Sequence, residues 1–294
     1  RPPRMPTATD QMLRLLPPPS LRAALGCLSA PGELWCAQEG GQTNRLWRTP
    51  SNLVVKLYIT DPPNPLFAND AAAEAACLQV LAPAALAPRL RAQGHLPEGA
   101  WIAYDHVPGH PWREDPAMVG RLLRGLHALP VPEALPKAPA NVALREITES
   151  ILAKVASNHA RDLHALAPPS VALPMGRQAF LHGDPVPGNL IVSGQKATLI
   201  DWQCPAVGDP VHDLALFMSP GMQQVYRGAP LSEAEEAITI AAYDCPETAY
   251  RLALLRPHYH WLMAAYCTWK AAHASAESAK AYMQAAALEC ARLS

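Results

Sequence analysis

A change of hydrophobic rhythm at Pro108-Gly109 constrains this chain more than any other feature of its sequence. Before it, apolar residues fall in short extended runs bounded by turn formers. After it, they recur at the three- and four-residue spacing of helices. In the first part, residues 44–48 and 53–59 flank Thr49-Pro50-Ser51-Asn52 and read as a β-hairpin. Residues 89–93 and 100–106 flank a second turn, and between the two hairpins the alanine-rich run 70–81, stopped by Pro83, reads as a helix. Residues 33–106 thus predict a small sheet of four or five strands with one inserted helix. Ahead of it, residues 9–16 and 20–28 read as helices on either side of Pro17-Pro18-Pro19, the second capped by Ser20. Past the switch, residues 117–129 and 143–166 are helical in pattern, 189–192 and 197–200 form another hairpin, and the chain beyond Pro210 is helical again. The expectation is an α+β chain: an N-terminal helical segment (1–32), a small antiparallel β-sheet lobe (33–104), and a larger helical lobe (105–294), with a cleft where the lobes meet.

Composition narrows the function classes. With 294 residues, half of them apolar and 17% charged, the chain has material for a substantial core. A formal net charge of −1 gives no electrostatic footprint for nucleic acid. No apolar run reaches the roughly 18 residues that a membrane span needs. Residues 1–10 lack the apolar core of a secretory signal, so the expected location is cytoplasmic. The seven cysteines are scattered with no Cys-x-x-Cys pair, which speaks against both a disulfide framework and a zinc site.

The chemistry is concentrated in Leu181-His182-Gly183-Asp184-Pro185-Val186-Pro187-Gly188-Asn189, followed by Leu199-Ile200-Asp201-Trp202. Phosphoryl transfer needs one carboxylate to orient the attacking hydroxyl and accept its proton. It also needs oxygen ligands that hold Mg²⁺ against the phosphates, because hard cations prefer oxygen. Asp184 and Asn189 lie five residues apart on a loop, and the hairpin returns the chain so that Asp201 can face Asn189. The alternative for Asp184 is a turn cap.

Upstream residues of the right type follow in order. Gly40-Gly41, with Asn44 close behind, precedes the first hairpin strand, where a glycine turn lets backbone N–H groups approach phosphates. Lys56 ends an otherwise apolar strand run, and Glu74 lies on the next helix, where a carboxylate can pair with that lysine.

In series these residues resemble the aminoglycoside phosphotransferase and choline kinase family, small-molecule relatives of protein kinases. The resemblance also rests on Gly208-Asp209-Pro210 and Asp213-Leu214-Ala215, and covers residues from about 33 to 269. It implies a bilobal protein-kinase-like fold that uses ATP and Mg²⁺. By position, Asp184 would be the catalytic base, Asn189 and Asp201 the metal ligands, and Lys56 the phosphate contact supported by Glu74. His182 would brace the catalytic loop, Asp209 would cap the helix starting at Pro210, and Asp213 would support the loop. The backbone around Tyr104, Asp105 and Val107 would hold adenine. Pro185 and Val186 depart from the family's usual residues after the catalytic Asp.

The acceptor is a small molecule with a hydroxyl group. Residues 201–294 hold ten acidic and six basic side chains, a net −4 that favours a cation. On one helix Tyr259, Tyr266 and Trp269 share a face, with Trp261 to one side and Trp202 a further wall. Aromatic faces bind quaternary ammonium groups, although the same rings could simply be core. A choline- or ethanolamine-like amino alcohol comes first and thiamine next. Aminoglycosides rank lower, because the last fifteen residues offer only Glu289 as a carboxylate, and sugars rank last. A non-catalytic nucleotide-binding pseudokinase is the rival of another class.

Overall fold

The computed structural model describes residues 16–29, 32–38, 44–59, 64–132, 135–138 and 141–293. The Gly40-Gly41 turn and all but the last residue of the expected helix 9–16 lie outside them. The chain divides into two compact units, one from residues 1–63 and 69–107, the other from 64–68 and 108–294.

The first unit is built on a five-stranded antiparallel sheet in the order β1-β2-β3-β5-β4. Its strands are β1 (Cys36–Ala37), β2 (Arg45–Arg48), β3 (Leu53–Leu57), β4 (Leu90–Leu96) and β5 (Gly99–Asp105). Successive side chains on a strand point to opposite faces. On one face Trp47, Val55, Leu57, Trp101 and Ala103 pack with Leu21 of helix α1 (Pro19–Ala24) and with Leu25, which follows it. That helix is shorter than the sequence indicates, and it is not capped by Ser20. Pro19, whose fixed φ suits a first helical position, starts it behind Pro18, and the Ser20 hydroxyl donates to Glu98 instead, at 2.8 Å. The alternation sends Lys56 to the opposite face, toward helix α2 (Ala71–Leu81). Asp70 caps α2 by accepting from the N–H groups of Ala72 and Ala73.

In the second unit, β6 (His110–Pro111), β8 (Leu190–Ser193) and β9 (Lys196–Leu199) form one small sheet, and β7 (Ala179–Leu181) pairs with β10 (Ala206–Gly208). The β8–β9 hairpin matches the reading of the sequence. Strands β6, β7 and β10 do not, being only two or three residues long and so offering no alternation to read. Helices α3 (Pro116–His127), α4 (Asn141–Leu152), α5 (Ser157–Ala165), α6 (Val211–Phe217), α7 (Pro220–Arg227), α8 (Glu233–Tyr243), α9 (Pro246–Ala272) and α10 (Ala276–Cys290) complete it. The periodic run 143–166 is two helices rather than one. Ala156 leaves helical geometry at ψ 140°, although nothing between Leu152 and Ser157 is a glycine or proline. Helix α9 continues through Pro257, and every residue from His258 to Trp269 is buried. A helix apolar or satisfied on all sides is a core helix, and packing outweighs the proline's cost here.

Candidate active site

Strand β7 delivers the chain to His182, and the next residue must turn sharply. Gly183 has φ +85°, and a Cβ there would lie 1.9 Å from the Cys204 carbonyl oxygen, so only glycine fits. The turn is held by its backbone. Asp213, fully buried in the first turn of α6, accepts from the N–H of His182 (2.8 Å) and of Gly183 (2.9 Å). His127 at the end of α3 approaches the same carboxylate through Nε2 at 3.0 Å, and its Nδ1 meets the Tyr243 hydroxyl at 2.9 Å. A carboxylate only accepts, so Nε2 carries the ring proton and Nδ1 accepts from Tyr243. Burial alone would raise the Asp213 carboxyl. The His127 hydrogen bond, with His127, His212 and His182 facing it, overcomes this and holds it below the ordinary range.

His182 then braces the loop from within. Its Nδ1 accepts from the Asp184 N–H (3.2 Å), so Nε2 bears the proton and donates to the Ile200 carbonyl (3.0 Å). Asn189, in the single turn Pro187–Asn189, donates through Nδ2 to the backbone oxygen of Asp184 at 2.9 Å and reaches its Oδ2 at 3.4 Å. The Ile200 N–H donates to the Asn189 carbonyl (2.9 Å), extending the β8–β9 pairing by one step and bringing Asp201 to the same place. Asp201 sits at φ 63°, a left-handed conformation that costs a non-glycine residue about 1–3 kcal/mol. Burial, then the facing charges of Asp201 and Asp213, push the Asp184 carboxyl up to about 8, while the Asn189 hydrogen bond pulls the other way.

Asp184, Asn189 and Asp201 are therefore brought together, braced by His182 and Asp213. Asp209 accepts from the Val211 N–H (3.0 Å) at the start of α6, which begins at Val211 rather than Pro210. Its other oxygen pairs with Arg251 at 2.7 Å. Among the described residues no group of three or more His, Cys, Asp or Glu side chains is arranged to hold a metal ion. The Asn189 amide and the Asp201 carboxylate carry oxygen donors of the hard type that suits Mg²⁺.

In the first unit, Lys56 Nζ lies 2.7 Å from Glu74 Oε2, with both side chains buried. Tyr58, which the sequence reading missed, places its hydroxyl on the same carboxylate oxygen and its ring 5.0 Å from the ammonium. The Asn44 side chain exchanges hydrogen bonds with Asn69 (2.8 and 2.9 Å) and accepts from the Ile59 N–H, tying loops together, while the glycine turn that precedes it lies outside the described residues. Asp105 forms a two-pronged pair with Arg91 (2.6 and 2.9 Å), and Tyr104 is buried beside it in β5. The N–H groups of Asp105 and His106 are taken by Arg89 and Asn52.

The aromatic residues separate into two groups. Trp202 and Trp261 are 0% exposed, and their indoles donate to the carbonyls of Leu199 and Leu163, so both are core rather than walls. Tyr259 is likewise buried, against His212. Tyr266 accepts from Asn64 (3.2 Å) and meets the edge of Phe67, while Trp269 lies 6.0 Å from it and stacks on His273. Two tyrosines not anticipated join them. Tyr226 lies against Gly188, where a Cβ would come within 2.8 Å of its ring. Burial, with Tyr282, Asp184, Tyr266 and Asp201 facing it, pushes its phenol well above the ordinary value. Neither Tyr226 nor Tyr282 lies near a motif in the sequence.

The model of the phosphotransferase enzyme family matches residues 36–254, and the chain belongs to that family. Its members are kinases of small molecules. Among curated proteins nothing matches. Among solved structures, choline kinase LicA from Streptococcus pneumoniae is similar at 17% identity and TM-score 0.66, over 93% of this chain and 98% of that one. A choline/ethanolamine kinase family protein from Mesorhizobium loti is similar at 18% identity and TM-score 0.64, over 93% of each chain. An aminoglycoside phosphotransferase solved with streptomycin and ATP is similar at 11% identity and TM-score 0.61, over 92% and 97%. At these identities the likeness is one of fold, and the fold is protein-kinase-like.

Proposed function

We propose that this protein transfers the γ-phosphoryl group of ATP to a hydroxyl of a small cationic molecule, an amino alcohol of the choline or ethanolamine kind or thiamine. The observation that carries the reading is the loop in which Asp184, Asn189 and Asp201 converge under the Asp213 clamp. Asp184 accepts the proton of the acceptor hydroxyl as that oxygen bonds to the γ-phosphorus and the bond to the β–γ bridging oxygen breaks. The Asn189 amide oxygen and the Asp201 carboxylate are the groups that would hold Mg²⁺. When bound, the ion neutralises phosphate charge. Lys56, kept extended by Glu74 and Tyr58, contacts the phosphates, and the backbone at Val107 serves the purine. A retained Lys–Glu pair and a complete loop weigh against a pseudokinase.

The cationic reading is supported by Tyr226, Tyr266 and Tyr282 gathered beside two carboxylates. The aminoglycoside reading loses its one late carboxylate, because Glu289 is fully buried. A coupled assay with ATP and Mg²⁺ against choline, ethanolamine, thiamine, kanamycin and glucose tests the proposal. Turnover of an amino alcohol or thiamine is expected. Rapid turnover of glucose with no response to the cations would overturn the substrate class, and no turnover of any would overturn the activity.

A further inference from the structure

The buried face of α10 is a stripe of four residues, Tyr282, Ala285, Ala286 and Glu289, at the spacing that aligns one side of a helix. Such a stripe is ordinarily apolar throughout. Here its last member is a carboxylate with 0% exposure and both oxygens engaged. Oε1 accepts from the Ser219 hydroxyl and from the Gly221 N–H at 3.0 Å, and Oε2 lies 2.6 Å from His260 Nδ1 on α9. Ser219 is itself the cap of α7, accepting from the Met222 N–H at 3.1 Å. Gly221 allows the close approach, since a Cβ there would stand 3.0 Å from the Ala285 carbonyl and from Glu289 Oε1.

Replacing a buried ionic group by apolar residues is often neutral or stabilising for a fold, so stability alone does not account for a carboxylate here. Its geometry gives another reason. Glu289 fixes the first turn of α7, and the far end of α7 carries Tyr226, whose ring lies on Gly188 one residue before Asn189. Tyr282, two turns from Glu289 on the same stripe, faces Tyr226. The last helix thus grips α7 at both ends, and it lies wholly beyond residues 36–254, which the family model covers. We propose that Glu289 is a positioning residue: it sets α7 so that Tyr226 holds the Gly188–Asn189 end of the catalytic loop. The inference rests on the reading of residues 184–189 as that loop.

Hydrogen exchange on the full-length chain tests it without requiring any turnover, using E289L, which keeps volume and lacks the acceptor, and E289Q, which keeps one. In E289L, amides of 184–189 and 220–227 are expected to exchange at least tenfold faster, while those of α4 stay as in the wild type. E289Q should stay within threefold of wild type throughout. With choline and ATP as the assay pair, E289L should lower kcat more than it raises the KM for ATP. If E289L does not fold, S219A, which removes both the hydroxyl that Glu289 accepts from and the cap that accepts from the Met222 N–H, carries the same expectation. Unchanged exchange at 184–189 in a folded E289L or S219A overturns the proposal, as does acceleration spread evenly over the whole helical unit. A wild type that turns over none of the acceptors overturns the kinase reading instead, and leaves the exchange result to decide this one.

Discussion

Asp184 and Asp213 serve one loop, yet their surroundings drive them in opposite directions. Asp213 receives three donors and is held ionised. Asp184 has one weaker side-chain donor and two carboxylates facing it. Asp184→Asn removes a carboxyl whose ionised form burial disfavours, so its melting temperature should not fall below wild type while kcat drops by about 10²–10⁴. Melting and steady-state kinetics on the one variant check this, because a mere turn cap would lose about 1 kcal/mol of stability and keep its rate. Asp213 has the other sign. Its folded value is depressed, so the stability it contributes is present above its unfolded value and is lost as pH falls through the folded one. The wild type should therefore lose stability as acid is added below about pH 4, and Asp213→Asn should start lower and show a shallower loss. Melting curves between neutral and acid pH measure both slopes.

The elements that support this chemistry lie outside the motifs. Helix α3 presses on α8 at Gly120, where a Cβ would stand 2.4 Å from the Thr239 carbonyl oxygen. Gly120→Ala should cost about 1–3 kcal/mol in urea unfolding. Tyr243→Phe, which takes the donor from His127, should cost about 1 kcal/mol. Both changes fall on the brace behind Asp213, so both should lower kcat with little effect on ATP affinity. The sequence showed the loop and both ends of the β8–β9 hairpin because turn formers and alternation mark them. It did not show His127, which on sequence alone is one more histidine near a helix end. That residue's role comes from α3 ending where His127 meets the Asp213 carboxylate, a tertiary fact. Nor did it show that Asn44 pairs with Asn69, twenty-five residues away, because proximity to two glycines in sequence carries no such information. The tryptophans misled because helical spacing places rings on a face without saying whether that face is covered.

For the whole molecule, the nucleotide offers the simplest handle, since anything that binds only the folded state stabilises it. MgATP at a hundredfold excess over its Kd should add about 2.7 kcal/mol. Lys56→Ala should lose most of that shift, and Asp184→Asn should keep it. Thermal shift with and without MgATP on the three proteins reads this directly, and equal shifts in wild type and Lys56→Ala would remove Lys56 from the phosphate site. Among the described residues no helix is long and apolar enough to cross a membrane. The second unit resumes at Pro108, where the sequence passes from mostly extended runs to mostly helical spacing, so the split was legible there. The assignment of residues 64–68 to the helical unit was not, because it depends on Asn64 and Phe67 meeting Tyr266 some two hundred residues later. The all-round burial of α9 has a consequence for how the chain is made. Helices α4 to α7 and α10 pack around a helix that runs from residue 246 to 272. A ribosome adding about 5–20 residues per second leaves the apolar faces of α4 to α7 without their common partner until residues 246–272 emerge, with α10 following last. The sheet unit has its last strand by Asp105 and can form meanwhile, whereas the helical unit must wait for nearly the whole polypeptide.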